Sequence, residues 1–230
     1  MSVQNGQLTE TFADGSIQKI SLEGRVTTLA ANSVVDVEKV FPESEGMRGI
    51  KTDGKYGFID AKGRLLVANR YEAIGQFKEG LAAIKILGKW GFVNISDQIV
   101  INPSYEQVSE FKSGIAIIKR NGKLGLIDPN GKIALTLRYD QIEREDDKFI
   151  LTSNKLKGLA DAKGNVLIEP RFEWLDVLEN DQVIVANEKR YGVISTKGLS
   201  VIPLIYDQVL YVKERNEYMA LMKSEWKRLN

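Results

Sequence analysis

The chain contains neither cysteine nor histidine. Without cysteine there are no disulfides, no thiolate nucleophiles and none of the usual zinc frameworks. A cysteine-free chain is stable in either redox compartment, so the compartment stays open. Without histidine there is no imidazole base, no histidine metal ligand and no histidine pH switch. No charge of one sign prevails, because 32 Lys and Arg stand against 31 Asp and Glu. The basic excess that would draw the chain to nucleic acid or to an anionic membrane is therefore missing. No apolar run reaches the roughly 20 residues of a membrane-spanning helix. Met1 to Glu10 is polar and lacks the apolar core of a secretory signal. The expectation is a soluble cytoplasmic protein without membrane insertion, and a fragment cut from an exported protein would read the same way.

What the chain does have is a unit that returns every 33 to 35 residues. A basic residue, an aromatic and a glycine mark it at Lys55-Tyr56-Gly57, Lys89-Trp90-Gly91 and Arg190-Tyr191-Gly192, with Lys123-Leu124-Gly125 and Lys157-Gly158 between them. A fixed period of this size signifies an array in which each unit closes the core of its neighbour. Within one unit, Leu81 to Ile86 is short, apolar and partly β-branched, and reads as a strand. Gly88-Lys89 turns the chain. Trp90 to Val93 returns it, and Ile99 to Ile101 follows as a third strand.

The second turn reads Asp60-Ala61-Lys62-Gly63, Asp128-Pro129-Asn130-Gly131 and Asp161-Ala162-Lys163-Gly164 in the sister copies. There the first side chain bonds the backbone and the glycine takes a positive φ. The remaining segment spaces its large residues by threes, as in Tyr71, Ile74 and Phe77. That does not fit a pleat of period two, so it reads as a helical or 3₁₀ turn or an irregular corner.

The fold expected is all-β, built of tandem three-stranded antiparallel meanders of about 34 residues. The first hairpin, Leu8 to Ile20, and the last, Met219 to Leu229, are alike. Neither end lacks what the other supplies, which favours an open coiled array over a closed propeller-like ring. Residues 1–230 are read as a single array. Its divergent first repeat spans 1–45, with Gly24 as turn glycine and a longer corner near Phe41-Pro42. Clear repeats span 46–209, and a partial terminal repeat spans 210–230.

The stretches KYGFIDAKG, KWGFVNISD, KLGLIDPNG and RYGVISTKG, each leading to a Tyr-acidic corner, resemble the WG-repeat (KWG-repeat) family of bacterial proteins. The resemblance runs from about Gly46 to Val209. Leu124 and Lys157 depart from the aromatic position, and only Trp90 shows the literal Trp-Gly pair. It implies a β-rich repeat module and no common reaction, so no catalytic residue comes with it.

The repeated acids Glu72, Glu106, Asp140, Glu173 and Asp207 recur after each corner aromatic. A requirement shared by every unit signals architecture, either a cap on backbone N–H groups or a pair with Lys55, Lys89, Lys123 and Arg190. The turn acids Asp60, Asp128 and Asp161 supply only part of a calcium loop. No phosphate-binding loop, marked carboxylate pair or activated serine appears. An enzyme is not expected, and neither a catalytic residue nor a cofactor nor a metal is assigned.

Breaks in the repeat carry more information than the repeat. Trp174 stands in a row otherwise filled by Ala73, Gln107, Gln141 and Gln208. It reads either as an exposed contact, flanked by Arg171 and near Arg138 and Tyr139, or as filler for the space that Lys157 leaves. The run from Glu143 to Lys148 reads as a solvated loop, or as an acidic edge at Glu145 and Asp146 for a basic partner. The function expected is a noncatalytic scaffold that binds a protein partner, in complex assembly or toxin neutralisation. The alternative is a carbohydrate or cell-envelope binding module.

Overall fold

Central strands such as Leu81–Ile86 are apolar at nearly every position, a pattern that fits a strand covered on both faces. The computed structural model describes residues 2–4, 7–11, 17–21, 26–30 and 33–229, with side chains from Val37 onward. Among these residues the chain is all-β, and a single 3₁₀ turn at Lys213–Arg215 is the sole helical element. The antiparallel sheets follow one another in sequence order, and none closes on itself.

The first sheet holds β1 (Ser2–Gln4), β2 (Gln7–Thr11), β3 (Ile17–Ser21), β4 (Val26–Ala30) and β5 (Ser33–Val37). The next holds β6 (Lys39–Ser44), β7 (Met47–Thr52), β8 (Lys55–Asp60) and β9 (Leu65–Tyr71), followed by β10 (Ala73–Lys78), β11 (Leu81–Ile86), β12 (Lys89–Asn94) and β13 (Ile99–Tyr105). Then come β14 (Gln107–Val108), β15 (Ala116–Arg120), β16 (Lys123–Ile127) and β17 (Ile133–Tyr139). A further sheet is β18 (Gln141–Glu145), β19 (Lys148–Ser153), β20 (Leu156–Asp161) and β21 (Val166–Phe172). It precedes β22 (Trp174–Val177), β23 (Gln182–Asn187), β24 (Arg190–Ser195) and β25 (Ser200–Tyr206). The last is three-stranded, with β26 (Gln208–Val212), β27 (Glu217–Met222) and β28 (Glu225–Leu229). The expected turn glycine Gly24 lies outside the described residues.

Two compact units result, one of Met1–Asn121 with Ile127–Ile133, the other of Gly122–Leu126 with Ala134–Asn230. In the first, Phe58, Tyr71, Phe77, Ala82 and Ile84 share one buried cluster. In the second, β23 shows how a sheet serves two cores at once. Val183 and Val185 point into one cluster with Leu159 and Phe172, whereas Ile184 points into another with Val209 and Tyr218. Alternation along one strand thus distributes its side chains to opposite faces, each covered by a neighbouring sheet. Full burial of each such aliphatic side chain stabilises the fold by about 1.5–3 kcal/mol.

The three-stranded meander is present in each repeat, but the segment expected to be a helical or irregular corner is itself extended. It forms the first strand of the following sheet, as β10, β14, β18, β22 and β26. The spacing by threes has a different cause. Ile74 pairs with Ile84 and Phe77 with Ala82, so three steps on one strand oppose two on the other. This β-bulge re-aims Phe77 into the core. Phe41 and Pro42 likewise lie within β6, where the register shifts between Val40 and Glu43, and not in a longer corner. The run from Glu143 to Lys148 is no loop either: Glu143 and Glu145 belong to β18, which pairs with β19 without any bulge.

Candidate binding surface

Each repeat opens with a tight hairpin whose two turn residues both take positive φ, for example Leu87 at 49° and Gly88 at 73°. In three later copies neither residue is glycine, at Asn154-Lys155, Glu188-Lys189 and Lys223-Ser224. L-residues resist this conformation, so their turns need outside support. The repeated acids supply it. The amides of Leu87 and Gly88 donate to the two carboxylate oxygens of Glu72, each at 2.9 Å. Glu106 accepts from Asn121 (2.8 Å), Asp140 from Asn154 (2.8 Å), Glu173 from Glu188 (3.0 Å) and Asp207 from Lys223 (2.9 Å).

A sixth member, Glu38, accepts from Gly54 at 2.9 Å. It escaped sequence reasoning although it lies 34 residues before Glu72, because Val37 replaces the aromatic that marks the other corners. The basic row contributes where it reaches. Lys123 Nζ lies 2.5 Å from Asp140, and Arg190 pairs with Asp207.

A second ladder has no counterpart in the sequence reading. Glu45 accepts from the amides of Glu79 and Gly80 at 2.7 and 2.9 Å, and Glu79 in turn accepts from Ser113 and Gly114 at 2.6 and 2.8 Å. Two successive glutamates are too short a series to register as a repeat. In the other unit Lys148 pairs with Asp147 and Asp181, and Lys213 with Glu179.

The turn acids close Asx turns. Asp161 Oδ1 accepts from Lys163 and Asn165 at 2.9 Å each, and Asp60 does the same with Lys62 and Arg64. Burial pushes the Asp161 carboxyl up. The hydrogen bonds from the Asn165 side chain and from the Asn165, Lys163 and Gly164 amides outweigh it and hold the group below the usual carboxylate range. Asp60 is lowered by the same balance with Arg64 and Lys62. A carboxyl depressed in the native state contributes stability above its unfolded pKa, near 3.9, and loses it as pH falls through the native value. Thermal stability should therefore decline as pH drops below about 4. Asp161→Asn, which keeps the turn acceptor as Asn94 does in its own repeat, should reduce this acid sensitivity in melting curves taken from pH 7 to pH 2. Unchanged acid sensitivity would exclude Asp161 as a contributor.

These bonds commit most of the repeated polar residues to the frame. The basic residue before the corner aromatic is also occupied. Arg138 lies over the Tyr139 ring at 5.1 Å, donates to its hydroxyl and grips both oxygens of Glu169 at 2.9 and 3.0 Å. The Tyr139 hydrogen bond, followed by that to Glu169, raises its pKa. Arg171 stacks over Phe172 at 5.1 Å and is exposed. Glu145 and Asp146 are exposed at the β18–β19 hairpin, where Asp146 takes a φ of 49°.

Trp174 is 40% exposed and meets the Tyr191 ring edge-on at 5.8 Å and 61°. Its ring contact is thus with the aromatic of the following repeat. An open groove of about 430 Å³ lies beside it, lined by Trp174, Asp176, Ile184 and Tyr191 on one sheet, by Leu178 just past the end of β22, and by Gln208, Val209, Leu210 and Tyr211 of β26 on the next. Of the five residues singled out in the sequence, Trp174 alone lines this groove; Arg138, Arg171, Glu145 and Asp146 do not. Asp176 and Tyr211 were missed because their rows carry no regular pattern, and Gln208 was passed over because it conforms to the Gln107 and Gln141 row that Trp174 breaks. Among the described residues no cluster of acids is placed to hold a metal ion, and no helix is long and apolar enough to cross a membrane.

The family model described as WG containing repeat matches residues 56–90, 90–123, 125–152 and 158–187, more than half of the chain. The chain belongs to the WG-repeat family. This WG-repeat protein matches no curated protein. Among solved structures it is similar to the WD40 β-propeller domain of Doa1, at 14% identity and a TM-score of 0.33, over 99% of this chain and 90% of that one. It is also similar to a protein of unknown function from Bacteroides caccae, at 13% identity and a TM-score of 0.29, over 86% and 92% of the two chains. A eukaryotic initiation factor matches at 9% identity and a TM-score of 0.39, over 96% and 71%. Likeness at this level carries no functional argument.

Proposed function

We propose that this WG-repeat chain is a noncatalytic scaffold that binds a protein partner through the surface around Trp174. The observation that supports this is a contrast in one molecule. The repeated carboxylates cap turns, whereas an indole that breaks the repeat stands exposed beside an aromatic groove. Tryptophan and tyrosine at the centre of a concave patch are the residue types that dominate binding energy. Assembly of a larger complex and neutralisation of a toxin are two specific forms of this role. A carbohydrate or envelope ligand is the second reading, because the rings of Trp174 and Tyr191 also offer a stacking surface.

The test is an affinity pull-down with the wild-type chain and with Trp174→Ala. A protein partner retained by the wild type should be lost with the variant, whose melting temperature should change by only a few degrees because the indole is 40% exposed. Equal capture by both chains would remove Trp174 from the binding surface. Capture of glycan in place of protein would favour the second reading.

A further inference from the structure

We propose that the groove beside Trp174 takes a proline-rich segment in the polyproline II conformation, carrying a basic residue at one end. This inference rests on the reading of the chain as a protein-binding scaffold and names the partner's chemistry. The rings that form the groove are set before any ligand arrives. Tyr211 packs on Tyr218 at 5.2 Å and donates its hydroxyl to Asn216 at 2.8 Å. Tyr218 donates to Gln182 at 2.6 Å and accepts from Asn180 at 3.2 Å. Trp174 leans on Tyr191, and buried Ile184 and Val209 form the floor. A rigid aromatic groove suits a ligand that is itself preorganised, since neither side then loses much conformational freedom on binding.

The polar groups of the groove narrow the choice. The indole N–H of Trp174, the hydroxyl of Tyr191 and the side-chain amide of Gln208 form no hydrogen bond with any described residue, and each can donate. A proline-rich backbone has the complementary deficiency: it offers carbonyl acceptors at every residue and few N–H donors, all free of internal bonds. Proline rings fit flat against tyrosine and tryptophan faces, which is how aromatic-lined grooves recognise such segments. Asp176 supplies the charge term. Its carboxylate lines the groove, is exposed and pairs with no described cation, so an arginine or lysine flanking the prolines would meet an unpaired acid. A carbohydrate would need acceptors for its many hydroxyl donors, and Asp176 is the one carboxylate lining the groove.

The test is fluorescence anisotropy with a labelled synthetic peptide of consecutive P-x-x-P units ending in arginine. Comparisons are the same peptide with every proline changed to alanine, one ending in glutamate, and unlabelled oligosaccharides as competitors. The proline-rich, arginine-ended peptide should bind, and Trp174→Ala should weaken it roughly 30-fold. Asp176→Asn, a surface change that leaves the fold intact, should weaken it about threefold and erase the preference for arginine over glutamate. Equal binding of the alanine peptide, undiminished binding by Trp174→Ala, or displacement by oligosaccharide would each overturn the proposal. Failure of every peptide while the pull-down still yields a Trp174-dependent protein would sink this inference and leave the scaffold reading standing.

Discussion

Gly91→Val is expected to unfold its repeat, with a loss of about 4 kcal/mol or more. At Gly91 a Cβ would stand 2.7 Å from the nitrogen of Pro103 and 2.9 Å from the carbonyl carbon of Asn102, and closer still to the oxygen of Ile101. All three are backbone atoms, so no side chain can swing aside. The cause lies in the register of β12 and β13. Trp90 pairs with Tyr105 and Phe92 with Ile101, so two steps on one strand face four on the other, and the excess chain folds over the glycine. Positive φ plays no part, because Gly91 is absent from the residues that adopt it. Urea denaturation followed by fluorescence should show the midpoint collapse. A midpoint within error of wild type would mean that β13 can lift away at little cost, and the close-approach argument would fail.

Phe92→Ala should cost about 3–5 kcal/mol. Phe92 is 1% exposed, and its ring packs against Phe111 with centroids 4.7 Å apart. Removing it deletes a large apolar contact and leaves a cavity between rigid sheets that cannot collapse to fill it. The conservative Phe92→Leu should recover a good part of that loss. The two variants separate burial from backbone geometry: Phe92→Ala is rescued by restoring volume at the site, whereas no side chain of any volume should rescue position 91. Equal stability of Phe92→Ala and wild type would remove Phe92 from the core.

Glycine and phenylalanine were both legible in the sequence, for the same reason. The glycine of Gly91 recurs at a fixed period and the position of Phe92 stays apolar, as Phe58, Leu126, Leu159 and Val193, and only a backbone constraint or a core position imposes such shared chemistry on every unit. The turn acids were legible too, because Asp followed by Gly three residues later is local turn chemistry. Asp161 and Gly164 need nothing beyond their own loop to define the reversal. The strand at Ala73–Lys78 was not legible. Its bulge shifts the apolar spacing from two to three, and a bulge arises from pairing with a partner strand that local spacing does not reveal. Glu143 to Glu145 misled in the opposite way, since an acidic run looks like a loop until β19 pairs with it.

Trp174 shows the limit most clearly. Its sequence marks it as an exception and leaves two readings, filler behind Lys157 or exposed contact. The structure shows an indole 40% exposed, whose neighbours come from β24 and β26, 17 and more residues further along the chain. By itself the sequence determined the all-β class, the period, the hairpin turns and the absence of cysteine and histidine chemistry. Each of these follows from local propensity repeated in register. Only the tertiary structure decided which carboxylates cap which turns, how the bulged strands pass over the glycines, and that Trp174, Asp176, Gln208 and Tyr211 line one groove. Those relations depend on the packing of successive sheets, and packing joins residues whose separation along the chain carries no signal of their contact.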